Sequence, residues 1–275
     1  MAAITATDVS KLRKQTGAGM MDCKKALVES NGDFEVAIDV LRKKGQKVAA
    51  KRADREAIEG VVIAATNEGN SKAIIVSLNC ETDFVAKNDD FITLAYKILE
   101  AAITNNISSN EELNAITIDG MILADKIIEQ TGVIGEKLEV SMEVVEGTQV
   151  SAYIHSGNRL ATIVAFNTTA DEQQVLRDVA MQVAAMNPIA VNKEGIAQEI
   201  IDRELEIGKD LAKQEGKPEE MLEKIALGRL NKFFKENTLL NQAFIKDGKK
   251  SVQQHLKDYK DDLTVTTFKR VGLSI

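Results

Sequence analysis

Cysteine and histidine are scarce in this 275-residue chain. Cys23 and Cys80 are too few for a disulfide framework and are not spaced as a metal site, and His155 and His255 are the two histidines. Zinc and thiol chemistry therefore have little material to work with. Aromatic residues make up 4% of the chain; with no stacking platform and no recognised nucleic-acid motif, direct nucleic-acid binding is disfavoured. No apolar run approaches the ~20 residues a membrane span needs. The opening Met-Ala-Ala-Ile-Thr-Ala-Thr-Asp lacks the basic-then-apolar layout of a signal peptide. A cytoplasmic protein without membrane contact is the expectation.

What is present reads as soluble and globular, with 44% hydrophobic and 28% charged residues and enough length for two domains. The net charge of −7 is unevenly spread. Residues 1–55 carry 12 Lys or Arg against 7 Asp or Glu, a balance of +5, and the remainder carries 23 against 35, a balance of −12. A basic head on an acidic body suggests an acidic partner for the head, with a solvated helical surface as the plainer alternative.

The first fifty residues predict three short helices. Asp8 or Thr7 can cap the first, with Val9, Leu12 and Thr16 on one side; Thr16-Gly-Ala-Gly breaks it, and Met20 to Ser30 forms the second around Cys23, Ala26 and Leu27. Asp33 is a good N-cap for the third, where Phe34, Ala37, Ile38 and Leu41 recur at helical spacing until Gly45. Lys43, Lys44, Lys47, Lys51 and Arg52 continue as a polar, helical tether. From Gly60 the period becomes strand-like: Val61 to Thr66, a turn at Asn67-Glu-Gly-Asn, then Ala73 to Leu78, a β-hairpin. A helix starting at Asp89 or Asp90 carries Phe91, Leu94, Ala95, Ile98 and Ala102 as an apolar stripe.

That pattern recurs. Val150 to Asn167 repeats the hairpin at an offset of 88, with Gly157-Asn158 on Gly69-Asn70 and Asn167 on Asn79, and a helix with Val175, Val179, Val183 and Met186 inward follows. Asp171 comes four residues after Asn167, whereas Asp89 comes ten after Asn79, so the first copy holds six extra residues within Cys80 to Asn88. A core does not require them, since the second copy closes without them. Extra loop residues on a rigid scaffold are common functional additions. Phe84 sharpens the point, because hiding its ring from water is worth ~1.5–3 kcal/mol and something must cover it. The alternative is a loop whose Phe84 folds back on its own helix.

Leu113 to Gln130 looks mostly helical. Lys137 to Val145 and Leu263 to Val271 alternate like strands and could pair with each other, so that each half owns a roughly three-stranded sheet covered by helices. Lys193 to Asn237 interrupts the second half with a helical hairpin turned at Gly216-Lys-Pro218; Ile196, Ile200, Ile207 and Leu211 space one arm, and Leu222, Ile225, Leu230 and Phe233 the other. The arms are expected to pack on each other.

Taken in order and spacing, Thr16-Gly-Ala-Gly-Met-Met-Asp-Cys-Lys-Lys-Ala-Leu27 and Asn79-Cys-Glu-Thr-Asp-Phe-Val85 resemble the bacterial elongation factor Ts family, guanine-nucleotide exchange factors for elongation factor Tu. Ala152-Tyr-Ile-His-Ser-Gly, the helical hairpin and Gly228-Arg229 through Phe244 look like family features as well. The resemblance implies an α+β fold: a ubiquitin-associated (UBA)-like three-helix domain over 1–54, a core N-subdomain over 55–145, and a core C-subdomain over 146–275. An antiparallel coiled-coil hairpin is inserted in the last at about 193–237. The sheets are expected to be antiparallel and the two subdomains related.

The resemblance also implies a role for the extra loop. Thr82, Asp83, Phe84 and Val85 fall on the stretch that reaches into the partner's G domain and dislocates its magnesium, with Asp83 and Phe84 as the intruding pair and Val85 and Phe91 as anchors. Lys24 resembles a residue by which the head holds the G domain; Ile134, Gly135 and His155 resemble core contacts, and other domains of elongation factor Tu meet the C-subdomain. No catalytic residue, metal or cofactor is implied, because no covalent bond changes. A homodimer within the complex is a further expectation. The chain ends at Ile275, so an additional C-terminal helical module of some relatives has no counterpart and binding is expected to rest on head and core. Two other readings compete: a non-catalytic adaptor with a UBA-like binding head and a dimerising hairpin, and a thiol enzyme using Cys80, for which no matching base is in sight.

Overall fold

A computed structural model describes residues 4–273. The expectations resting on the first three residues and on the chain end at Ile275 lie outside the described residues. Helices α1 (Ala6–Thr16), α2 (Met20–Glu29) and α3 (Phe34–Lys51) open the chain. The cap of α1 is Thr5, not Thr7 or Asp8. The Asp8 backbone N–H donates to Thr5 Oγ1 at 3.2 Å, while Asp8 Oδ2 accepts from Thr5 N at 3.0 Å. This reciprocal capping box satisfies two donors that a helix start otherwise leaves open. Asp33 caps α3 as expected, accepting from Val36 N at 3.1 Å. Val9, Leu12, Cys23, Ala26, Leu27 and Ala37 form the buried cluster of this head, with Phe34, Ile38 and Leu41 half-buried against it.

Helix α3 does not stop near Gly45 but continues unbroken to Lys51. The reason is tertiary: Gly45 is buried against helix α7, described below, and the close approach offsets the ~1 kcal/mol that a glycine costs inside a helix.

Strands β1 (Glu59–Thr66) and β2 (Lys72–Cys80) form the first hairpin, followed by the short α4 (Asp83–Ala86) and by α5 (Asp89–Thr104). Helix α5 starts at Asp89 as expected, capped by Asn88, whose Oδ1 accepts from Asp90 N at 2.8 Å. The predicted stripe of Phe91, Leu94, Ala95, Ile98 and Ala102 is buried throughout. The next stretch is less uniform than its composition suggests: α6 (Asn110–Ala115), a minimal antiparallel hairpin of β3 (Thr117–Ile118) and β4 (Met121–Ile122), and α7 (Leu123–Ile134).

Strand β5 (Glu139–Glu146) leads to the second hairpin, β6 (Gln149–Ile154) and β7 (Leu160–Phe166), and then to α8 (Gln173–Met186). Helices α9 (Gln198–Gln214) and α10 (Glu219–Asn237) follow, then β8 (Ala243–Phe244), β9 (Asp247–Ser251), α11 (Val252–Tyr259) and β10 (Val265–Gly272). The sheet orders are β1-β2-β5 and β10-β7-β6. Each half owns a three-stranded sheet beside a two-stranded one, but β5 and β10 do not pair with each other: β5 joins β2 and β10 joins β7. The tie at the end of β7 is visible in Asn167, whose Nδ2 donates to Asp262 O and whose Oδ1 accepts from Thr264 N, both at 2.8 Å. Its repeat counterpart Asn79 likewise donates, to Ala57 O at 3.2 Å.

The described residues form two compact units, one drawn from those up to Ile63, from Val76–Glu143 and from Gly272 on, the other from Ala64–Ile75 and Val144–Val271. In the second, Val164, Phe166, Leu176, Val179, Val183 and Leu256 are among the residues that build the core. Helical spacing turns Met186 inward with them, yet it is 46% exposed, at the last position of α8 before Asn187 turns left-handed. The arms α9 and α10 pack on each other as expected; Leu222, Ile225, Leu230 and Phe233 of the second arm are buried or half-buried as their spacing suggests, and so is Ile196, but the rest of the first arm's spaced residues are not. Gly208 faces Ala226, and Ala212 and Leu230 are buried, while Ile200, Ile207 and Leu211 are exposed. Small residues let the two backbones approach and so take the interface from the larger ones.

Candidate partner-binding site

Strand β2 runs out at Cys80, and the chain then needs somewhere to place the polar groups of Glu81 and Thr82 before α4 begins. They go to a single carboxylate. Glu136 Oε2 accepts from Glu81 N at 3.1 Å and Thr82 N at 3.0 Å, and Glu136 Oε1 accepts from Thr82 Oγ1 at 2.6 Å. Thr82 stands at the N-cap of α4 but makes no side-chain cap, because its hydroxyl is committed to Glu136. Glu136 can reach the loop because α7 ends in Gly135, whose φ of 82° is the left-handed conformation that glycine adopts without strain. The clamp is reciprocal: Glu81 Oε1 accepts from Lys137 N and from Arg52 Nη1, both at 2.6 Å. The bond from the Lys137 backbone, followed by the Arg52 guanidinium, holds the Glu81 carboxyl below its usual range.

Beyond that base, the loop is held from below and open above. Ala86 is buried and Phe91 is 3% exposed, while Val85 is half-buried. Phe84 is 83% exposed and so does not fold back on its own helix. Phe84, Val85 and Phe91 border a groove of about 410 Å³ together with Gly17, Val133 and Ile134. Beside the ring, Asp83 pairs with Lys87 at 2.6 Å, and that hydrogen bond lowers its carboxyl pKa, keeping it ionised.

The remaining sequence-derived residues are distributed as follows. Ile134 shares the groove with Phe84, and Gly135 forms the turn that aims Glu136. Lys24 is exposed on α2 and does not line the groove. His155 belongs to the other unit, exposed in the turn between β6 and β7, where Tyr153 Oη and His155 Nδ1 lie 3.0 Å apart. Cys80 is fully buried; burial first, and then the nearby Glu136 carboxylate, push its thiol up to about 12, which leaves no thiolate for nucleophilic work at neutral pH.

Glu81, Glu136 and Arg52 escaped sequence reasoning. They lie 29 to 84 residues apart in pairs that no periodicity links. Their only trace is position, Glu136 next to Ile134-Gly135 and Glu81 inside the inserted stretch.

Comparison with known proteins adds to this geometry. A family model described as "Elongation factor TS" matches residues 81–274. The chain is 55% identical to "Elongation factor Ts" of Flavobacterium psychrophilum over 275 residues, covering 99% of this chain and 100% of that protein. It is likewise 55% identical to the protein of that name in Christiangramia forsetii, with the same coverage, and 53% identical to that of Porphyromonas gingivalis, covering 99% of each. No helix among the described residues is long and apolar enough to cross a membrane.

Proposed function

The chain belongs to the elongation factor Ts family, and from that membership we infer that it serves translation elongation as the nucleotide exchange factor of elongation factor Tu. We propose further that the Thr82-Asp-Phe-Val85 stretch performs the exchange. The observation that carries this is Phe84, an aromatic ring 83% exposed on a turn whose base is tied down by Glu136 and Glu81. A ring left in water by its own protein, on a support that does not yield, is built to be buried elsewhere.

Inserted into the G domain of elongation factor Tu, Phe84 acts as a wedge whose burial, worth ~1.5–3 kcal/mol, offsets the cost of displacing what it meets. Asp83 brings an ionised carboxylate to the same place. Magnesium neutralises the diphosphate of bound GDP, so disturbing it leaves anionic oxygens poorly compensated and the nucleotide leaves. By reciprocity, whatever factor reduces GDP affinity also reduces affinity of GDP-bound partner for this protein, which therefore binds the nucleotide-free form best. GTP then enters the vacated site. No covalent bond changes, so the chain needs no nucleophile or general base.

Around that centre the finer assignments are proposals of the same kind. The three-helix head is read as UBA-like and holds the G domain through Lys24, Ile134 and Gly135 add contacts beside the wedge, and His155 serves the C-subdomain's contact with other domains. The domain bounds 1–54, 55–145 and 146–275, the coiled-coil character of the hairpin, a cytoplasmic location and a homodimer within the complex complete the reading. Labelled GDP release from elongation factor Tu tests it. The protein should accelerate release, and Phe84→Ala should lower the saturating rate more than it weakens complex formation. No acceleration at saturation would sink the exchange role, and equal losses in rate and affinity would make Phe84 an anchor instead of a wedge.

A further inference from the structure

We propose that Glu136 is the positioning residue of the exchange loop: it presets Asp83 and Phe84 before the partner arrives. This rests on the reading of Phe84 given above. The loop contains the six residues by which the first hairpin–helix repeat exceeds the second, and an insertion of that length has no hairpin ladder to hold it. Among the described contacts, Glu136 takes the two consecutive backbone N–H groups that lead into α4 and the Thr82 hydroxyl as well, at 2.6 to 3.1 Å. A carboxylate gathering three donors is a charge-assisted clamp, roughly twice as strong per bond as neutral pairs.

The placement of the clamp matters as much as its strength. Glu136 follows Gly135 directly, so the turn that ends α7 and the turn that lifts Phe84 are fastened by one side chain. Ile134, on the same turn, borders the groove beside Phe84. Lys137 closes the arrangement from the other side through its backbone bond to Glu81, and Arg52 at the end of α3 joins that carboxylate. The wedge is thus referenced to two helices, and its entropy of ordering is met on folding and not on binding. Glu136 itself touches neither partner nor nucleotide in this scheme. It acts through the residues it holds.

The test compares Glu136→Ala and Glu136→Gln with Phe84→Ala and with the double variant Asp83→Ala/Phe84→Ala in stimulated release of labelled GDP. Glu136→Ala should lower the saturating release rate about tenfold, while the concentration for half-saturation stays within about threefold, as expected when geometry and not contact is lost. Glu136→Gln keeps acceptor oxygen toward Thr82 and should fall between. In the Asp83→Ala/Phe84→Ala background, Glu136→Ala should cause no further loss, because a positioning residue has nothing left to position. Hydrogen exchange read in the free protein should show faster exchange at the Glu81 and Thr82 amides, with Cys23 and the head helices unchanged. A full-rate Glu136→Ala protein alongside an impaired Phe84→Ala protein would overturn the assignment and leave the wedge standing. An unimpaired Phe84→Ala protein would instead remove the wedge. Additive losses in the triple variant, or faster exchange throughout the unit, would reduce Glu136 to a general structural role.

Discussion

The packing of α3 on α7 offers a direct test of the fold that carries the site, because two glycines meet there with unequal room. A Cβ built on Gly132 would lie 2.4 Å from Gly45 Cα, closer than side chains in real structures come, so one helix must move by about an ångström. A Cβ on Gly45 would meet Ile128 O at 3.4 Å and two Cα atoms at 3.8 Å, ordinary contact that requires no movement. Replacing either glycine by alanine brings the same helix-propensity gain of ~1 kcal/mol. That gain cancels when the two variants are compared, and the overpacking cost of ~1–3 kcal/mol remains on one side only. Gly45→Ala should therefore melt above the parent and Gly132→Ala below Gly45→Ala by about 1–3 kcal/mol, at about 2–4 °C per kcal/mol for a unit of this size. Thermal unfolding followed by helical circular dichroism measures it. Equal midpoints for the two variants would refute the asymmetric contact and the account of why α3 passes through Gly45 unbroken.

Two further outcomes follow from the clamp. Because the folded state depresses the Glu81 carboxyl below its ordinary 4.5, its stabilisation is complete above that value and is lost as pH falls through the folded value. The stability difference between the parent and Glu81→Gln should thus shrink as pH falls below 4.5 in urea unfolding, and a constant difference would show that Glu81 is not coupled to folding. Cys80, buried and with its thiol near about 12, should resist iodoacetamide in the folded protein at neutral pH and react once unfolded; rapid alkylation of the folded chain would contradict both its burial and its protonation.

Much of the site is legible in the amino-acid sequence. The offset of 88 between the hairpins exposes the six added residues, and an apolar ring among them marks Phe84. Helix faces in the head and in α5 follow from a 3.6-residue period that burial obeys. Where expectation and structure part, the cause lies in contacts distant in sequence. Gly45 looks like a stop because glycine is a poor helix former in isolation, and only the packing of α3 on α7 carries the helix through it. Strands β5 and β10 look like partners because alternation reports a face and not a neighbour. Ile207 and Leu211 look like the hairpin seam, yet Gly208 and Ala226 take it by virtue of size.

The division is sharpest in the loop itself. Local composition determined that Asp83 and Phe84 would sit in an insertion between a strand and a helix, since hydrophobic period and chain length act over a few residues. It could not say that the ring would stand clear of the core, nor what would hold it there. The base of the loop is tied instead by Glu136, 52 residues beyond Phe84, which follows the left-handed turn at Gly135 and accepts from Glu81 N and Thr82 N. A hydrogen bond between distant residues leaves no periodic trace in the chain, and its partners come together only when the whole unit folds.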